Sequence, residues 1–545
     1  MLNLKAFHHD TKNSLRILAL AIVLLFLGSI FITSHMFVDP YNTPKSLFVA
    51  ITLFSCLTVF TITLKKVTIG NIHKVSKFIF GTTVLQALYG LVQAIGIFNS
   101  NHRVFPATGS FDNPAGFASL ISLTLPLGTY LYFQSYKRAK QLLLAGLLIN
   151  GTAVIVSGSR TGMLAGGVSL LYLLYYQTSI TDYIKRFFSS KFLIITLIVV
   201  IGITGTLLFY LKKDSANGRL LIWNISICMI KDQPLTGHGN GGFRKSYMDY
   251  QAQYFRNHPE SKHRLLAGNT MHPFNEFIKI AVEYGLISLL VVITLILWIL
   301  FKLKHSRQDT RYVAISAFLA FLIIASFSYP SQYIAVWLLL TWYFLMLIPE
   351  AKWKFSNSKT NTLLRTTGLI IGLAGFYYSI SYAKAEIRWK DMAMMALKNN
   401  TKGLFSKYKS LYPQLKNDPF FLYNYRAELN IAGQYKESIH ILKECNKALS
   451  DYDLTLLTGD TYSNLGMHRD AIASFQKAAC MIPSRFIPLN NLLDIYTEIG
   501  DAKSALKIAV KISKKKIKVP SQTVYQIIAK ANHFIDEHPN RCHEQ

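Results

Sequence analysis

The sequence predicts an all-α protein: a polytopic membrane bundle of about eleven spanning helices followed by a soluble array of helical repeats. Three observations predict it. Apolar residues gather in runs of about 18 to 22, the length a helix needs to cross a bilayer. Every second loop between these runs is basic. Beyond residue 385 the runs stop, and glycine-centred helical patterns recur at spacings of 33 and 34.

The 545-residue chain is 51% hydrophobic and carries a formal net charge of +30. Dispersed apolar residues would mean about two or three soluble domains at this length. Clustered as they are, they predict a membrane domain over 1–385, with a large external loop at 212–273, and a repeat domain over 386–545. The five cysteines, Cys56, Cys228, Cys445, Cys480 and Cys542, form no CxxC pair and no metal-like spacing. A disulfide framework is not expected. Cys56 and Cys228 fall in apolar stretches and read as packing residues.

The candidate spans are roughly 15–34, 46–64, 78–98, 114–134, 141–157, 161–178, 192–211, 285–302, 312–328, 331–348 and 366–384. The first follows a basic segment, MLNLKAFHHDTKNSLR. It is longer than a signal-peptide core and has no A-x-A site after it, so it reads as an uncleaved helix. The basic loops hold Lys65, Lys66, Lys74 and Lys77, then Lys137, Arg138 and Lys140, then Lys185, Arg186 and Lys191. Lys302, Lys304, Arg307 and Arg311 follow, then Lys352, Lys354, Lys359 and Arg365. The positive-inside rule puts these loops and the N-terminus in the cytoplasm. An odd number of crossings then leaves the C-terminal domain outside.

The same alternation puts 212–273 outside. This loop carries Lys212, Lys213, Arg219, Lys231, Arg244, Lys245, Arg256, Lys262 and Arg264 against Asp214, Asp232, Asp249 and Glu260. Loops of about 60 residues are largely exempt from the orientation rule. The excess fits an anionic ligand, lipid headgroups or ordinary surface charge.

In the C-terminal part, Gly433, Gly466 and Gly500 sit in NIAGQYKESI, SNLGMHRDAI and TEIGDAKSAL. Tyr462 and Tyr496 share the period, as do Ala471 and Ala505. The layout resembles about three tetratricopeptide repeats, with less regular helices at 387–417 and 521–537. Such arrays present concave surfaces to protein partners, so docking or assembly is the expected role. Lys514, Lys515 and Lys516 read as a solvated face.

Four external features could carry chemistry. GSFDNPAGFASL places Asn113 before Pro114, which suits a helix start. SGSRTG places Arg160 at the outer membrane boundary, a costly position without a partner. Its planar fork suits bidentate phosphate binding, and snorkelling to lipid phosphate is the alternative. Arg219 heads a segment whose Leu220, Ile222, Trp223, Ile227 and Ile230 read as the apolar face of a helix along the membrane surface. The PLTGHGNGGF that follows lacks the Gly-Lys-Ser/Thr ending of a P-loop, so its glycines and His238 read as a tight turn. Finally, MHPFNEFIKIAVEYG puts His272 at a helix cap, with Pro273 in the first turn and Asn275 and Glu276 in the next. Glu276, Lys279 and Glu283 would share one face. Histidine can take a proton near neutral pH. A plain capping role is the alternative.

In this order the four motifs resemble the O-antigen ligase and polymerase superfamily, which includes the protein O-oligosaccharyltransferases. The resemblance spans roughly residues 105–348. It implies a membrane glycosyltransferase that moves an oligosaccharide from an undecaprenyl-diphosphate carrier to a hydroxyl acceptor at the periplasmic face of the inner membrane. The acceptor would be lipid A core, another glycan or a protein. Arg160 and Arg219 match the two arginines that grip the diphosphate. His272 matches the first histidine of the family's His-x-His-Asn pattern, as the base that activates the acceptor. Asn113, Asn275 and Glu276 support them. The second histidine position is Phe274 here, so His238, His258 or His263 could substitute, and Asp39 is a further candidate base.

The chemistry suits these residue types. Preorganised charge on the leaving group is worth about 3–4 kcal/mol per group, and a positioned base about 100- to 10,000-fold. No acidic metal-binding pair stands in an external loop, so no metal and no cofactor are expected. Expected partners are the lipid-linked glycan, the acceptor, membrane lipids and a protein on the repeats, and no nucleic acid. The rival reading from another class is a non-enzymatic scaffold that displays the repeats.

Overall fold

A computed structural model describes residues 20–63, 66–67, 72–177, 213–305, 310–347, 353–354, 359–398, 400–401 and 403–538. Among the described residues the regular structure is helical, apart from a two-residue antiparallel pairing of Lys66–Val67 with Trp353–Lys354. Two compact units emerge.

The first unit comprises Met1–Gly205, Phe274–Glu276 and Ile293–Asp391. Its helices are α1 (Leu20–Phe31), α2 (Asn42–Thr63), α3 (Ile72–Ala94), α4 (Pro114–Phe133), α5 (Lys137–Val156) and α6 (Arg160–Gln177). After the external loop come α9 (Glu276–Lys304, whose Phe277–Val292 segment groups with the second unit), α10 (Arg311–Phe327), α11 (Ile334–Leu345) and most of α12 (Lys359–Leu397). Among the described residues, six helices are long and apolar enough to span a bilayer, and α1, α10 and α11 are shorter apolar helices. Each expected span coincides with a helix except 192–211, which lies outside the described residues.

Helix α4 is the centre of this bundle: 83% of its apolar window is buried, against 28% for α5. It packs on α3, α5, α6, α10 and α11. Phe117, Leu120, Ile121, Leu123 and Leu127 are fully buried in that core. Buried hydroxyls find carbonyls: Ser122 Oγ donates to Gly162 O at 2.8 Å and Tyr343 OH to Leu123 O at 2.6 Å. In a bilayer such bonds replace the water that a polar group would otherwise need. Helix α12 approaches α2 closely because Gly372 leaves room; a Cβ there would stand 2.4 Å from Thr58 Oγ1. The outward faces stay apolar, as at Ile62, Leu148 and Ile370. A hydrocarbon-facing surface accounts for that, where water would penalise it.

The second unit comprises Thr206–Pro273, Phe277–Val292 and Met392–Gln545. It contains α7 (Lys213–Asp232), α8 (Gly242–Asn257) and α13 to α20: Leu404–Leu415, Pro419–Ile431, Tyr435–Cys445, Tyr452–Asn464, His468–Met481, Ile487–Glu498, Ala502–Ser513 and Gln522–Asp536. Helices α14/α15, α16/α17 and α18/α19 form antiparallel hairpins. Each turns on a glycine in the left-handed region: Gly433 at φ 71°, Gly466 at 70° and Gly500 at 76°. That conformation is cheap only for glycine, which explains the 33–34 spacing. Side-chain caps start α14 at Asp418, α16 at Asp451 and α19 at Asp501. The α8 helix of the external loop packs against α17 as though it were one more member of the array.

Candidate functional site

In the first unit, GSFDNP is threaded among the ends of α1, α2 and α3. Gln93 Oε1 accepts from the backbone N–H of Gly109 at 2.7 Å, and Lys45 Nζ donates to Ser110 O at 2.5 Å. Asn113 caps α4: its Oδ1 accepts from Ala115 N at 2.8 Å. Its Nδ2 donates to Tyr333 OH at 2.9 Å. Asp112 beside it has one buried oxygen without a hydrogen-bond partner. Burial, then the charge of Asp39, holds this carboxyl above the ordinary range. Asp39 itself caps α2, accepting from Tyr41 N at 2.9 Å and Asn42 N at 3.0 Å.

Arg160 is the first residue of α6, half-buried. The next residue, Thr161, lies beside Phe327 at the end of α10, and Gly162 abuts Ala118 of α4. Arg160 therefore stands at the same end of the bundle as Asn113. Glu276 is at this end too. Its Oε1 accepts from Ser331 N at 3.1 Å, in the short turn Pro330–Gln332 whose next residue is Tyr333. Asn113 and Glu276 thus both hold the Tyr329–Tyr333 turn. Phe274 packs edge-on against Tyr329 at 5.4 Å.

In the second unit, Arg219 is in the second turn of α7 rather than at its head. The buried face of α7 is Leu221, Ile222, Ile225 and Met229; Leu220 and Ile227 are exposed, and so is Cys228, which the sequence predicts as a packing residue. The expected face was rotated because α7 packs on protein through α8 and not only along a surface. Trp223, expected at a lipid interface, donates its indole N–H to Pro273 O at 2.8 Å. Arg219 lies one turn earlier on the same face, as residues four apart do. Trp223 therefore joins the helix of Arg219 to the chain next to His272.

His272 lies outside any helix. Helix α9 begins at Glu276, not at Pro273, because Phe274 takes a left-handed backbone at φ 54°. That conformation is uncommon for a bulky residue and stops the helix three residues short. Asn275 is the residue before the helix. The imidazole of His272 is pushed down to about 4 by burial, then by the charges of Lys279 and Arg244. At neutral pH it is an uncharged ring able to accept a proton.

The glycine run does more than turn. His238 N donates to Val282 O at 2.8 Å, Gly239 N to Glu283 O at 2.9 Å and Leu286 N to Pro234 O at 2.7 Å. These bonds seat the loop in a break of α9 at Gly285, φ 80°. A Cβ on Gly285 would stand 2.0 Å from Leu235 O. His238 Nε2 lies 2.9 Å from Met229 O, a structural contact. His258 is exposed and stacks on Tyr254; His263 is half-buried with its pKa lowered by burial and then by Lys262.

The sequence analysis counts Arg244 only among the charges of the loop and predicts no helix at α8. The signal was present: Phe243, Tyr247, Gln251 and Phe255 recur every fourth residue and all are buried.

Fold and site together define a multi-pass helical membrane protein whose large polar loop presents a neutral histidine among cations. Residues 145–293 match the family model described as O-antigen ligase. Over that segment the chain is similar to the O-antigen ligases, a likeness that supports a membrane protein of glycosyltransferase type. No curated protein and no solved structure matches it.

Proposed function

We propose that the protein transfers an oligosaccharide from undecaprenyl diphosphate to a hydroxyl acceptor at the periplasmic face of the bacterial inner membrane. The observation that carries this reading is the match of residues 145–293 to the O-antigen ligase model, a segment that holds His272 with Arg244 and Lys279 close enough to act on it. The cations beside His272 suit a polyanionic donor, whose charge would raise the basicity of the ring when it binds.

The acceptor oxygen attacks the anomeric carbon while its proton passes to His272. The bond between that carbon and the diphosphate oxygen breaks, and undecaprenyl diphosphate leaves. Arg160 and Arg219, matched to the family's arginines, neutralise the charge that grows on the leaving group. Asn113 and Glu276 support the site by holding the Tyr329–Tyr333 turn. Asn275 leads into α9. The N-terminus is cytoplasmic and the C-terminal hairpins, read as tetratricopeptide repeats, are periplasmic, where a protein partner could dock. Polymerase and protein O-oligosaccharyltransferase activities use the same chemistry on other acceptors.

The test is alanine replacement of Arg160, Arg219 and His272, one at a time, with transfer measured in membranes at equal protein level. His272→Ala should lose about 100- to 10,000-fold, and each arginine variant a comparable share. Full activity in all three would leave the scaffold reading standing. The glycan profile of a deletion strain separates ligase from polymerase and protein transferase.

A further inference from the structure

We infer that the repeat domain is a working part of the transfer site: through Gln251 and Asp451, it holds the loop of His272 in place. The inference rests on the role proposed above for His272. Gln251 on α8 is 1% exposed. Its Nε2 donates both to Gly268 O at 3.1 Å and to Met481 O at 2.6 Å, while its Oε1 accepts from Tyr247 OH at 3.0 Å. One buried amide thus spends both its N–H groups joining the approach to His272 to the end of α17. A buried amide with all its bonds made has little freedom to swing.

A second tie lies three residues before His272. Asn269 Nδ2 donates to Asp451 Oδ2. The other carboxylate oxygen, Oδ1, caps α16, accepting from Asp453 N at 2.8 Å and Leu454 N at 3.1 Å. A residue that starts a repeat helix therefore also grips the loop. Two more contacts flank it. Ser450 N donates to Arg244 O at 3.0 Å, and Ser450 Oγ donates to Asp249 Oδ1 at 2.6 Å. Lys477 Nζ pairs with the same carboxylate at 2.8 Å, but that pair is nearly half exposed and holds weakly. Arg244 acts on the charge state of His272, so the Ser450 contact places a residue that tunes the base.

An array that only displayed a docking surface would not need buried bonds to the loop of the base. Gln251 and Asp451 are positioning residues: neither acts on the reacting atoms, and both fix where His272 stands. Small misplacement of such a group is costly, about 100-fold for an ångström.

The experiment uses full-length protein in membranes and in detergent. Asp451→Ser keeps a good helix cap but is too short to reach Asn269. Asn269→Asp sets two carboxylates face to face. Both should lower kcat by about 10- to 100-fold with the KM for the lipid-linked donor unchanged, and both should speed amide exchange across 258–273. The pair Asn269→Asp with Asp451→Asn reverses the hydrogen bond and should restore both readouts. Wild-type kcat and wild-type exchange in Asp451→Ser and Asn269→Asp would overturn the inference. So would lowered kcat that the paired exchange fails to rescue. Exchange is read without turnover: an inactive wild-type protein would overturn the proposed function, while exchange would still decide whether Asp451 holds the loop.

Discussion

The indole N–H of Trp223 donates to the carbonyl oxygen of Pro273 at 2.8 Å, across 50 residues of chain. Pro273 is buried, so this carbonyl depends on that donor. Trp223→Phe keeps the ring and removes the N–H. It should cost about 1–3 kcal/mol of stability through the orphaned carbonyl and lower kcat by about 10-fold as His272 loses its anchor. Thermal unfolding in detergent and transfer kinetics check the two parts. Unchanged kcat would mean that Trp223 braces the fold without serving the base.

His272, with its pKa depressed to about 4 by burial and then by Lys279 and Arg244, makes a signed prediction. The ring is neutral above about 4, so kcat/KM, which reports the free enzyme, should stay level from neutral pH down to about 5 and fall near 4. Donor diphosphate brings negative charge, which favours the protonated ring. The acid limb of kcat should therefore lie at higher pH than that of kcat/KM. Lys279→Met removes a like charge and should move the kcat/KM limb up by about 0.5–1 pH unit. A limb near 6.5 in the wild-type kcat/KM profile would show that the ring is not held in this way.

Gly285 sits at φ 80° with Leu235 O where a side chain would begin. Gly285→Ala should destabilise the protein by about 1–3 kcal/mol from backbone strain alone, with further loss as the PLTGHG segment is pushed out. The melting temperature and the yield of folded protein report it. A variant with wild-type melting would show that the break in α9 tolerates a side chain.

Much of the fold is legible in the sequence because it rests on local signals. Runs of apolar residues set the spans, and glycines at a fixed period set the hairpins. The place of Arg160 between two apolar runs, and of Asn113 at a helix start, follows from Ser-Arg-Thr-Gly and Asn-Pro. The loop was harder to read, since its structure is made by distant partners. No local cue says that Trp223 answers Pro273, or that Asp451 answers Asn269. The left-handed turn at Phe274 falls on a residue type that seldom adopts it, so the sequence predicts a start for α9 that is too early. Helix α8 carries a periodic face, but its neighbours in sequence are glycines and basic residues that suggest an open loop.

The backbone bonds between Leu286 and Pro234, and between Gly239 and Glu283, fall where α9 turns into its long apolar stretch. With the bond from His238 N to Val282 O they tie the segment at three points. Lifting the PLTGHG segment away would break all three at once, so this corner of the protein behaves as a fixed anvil.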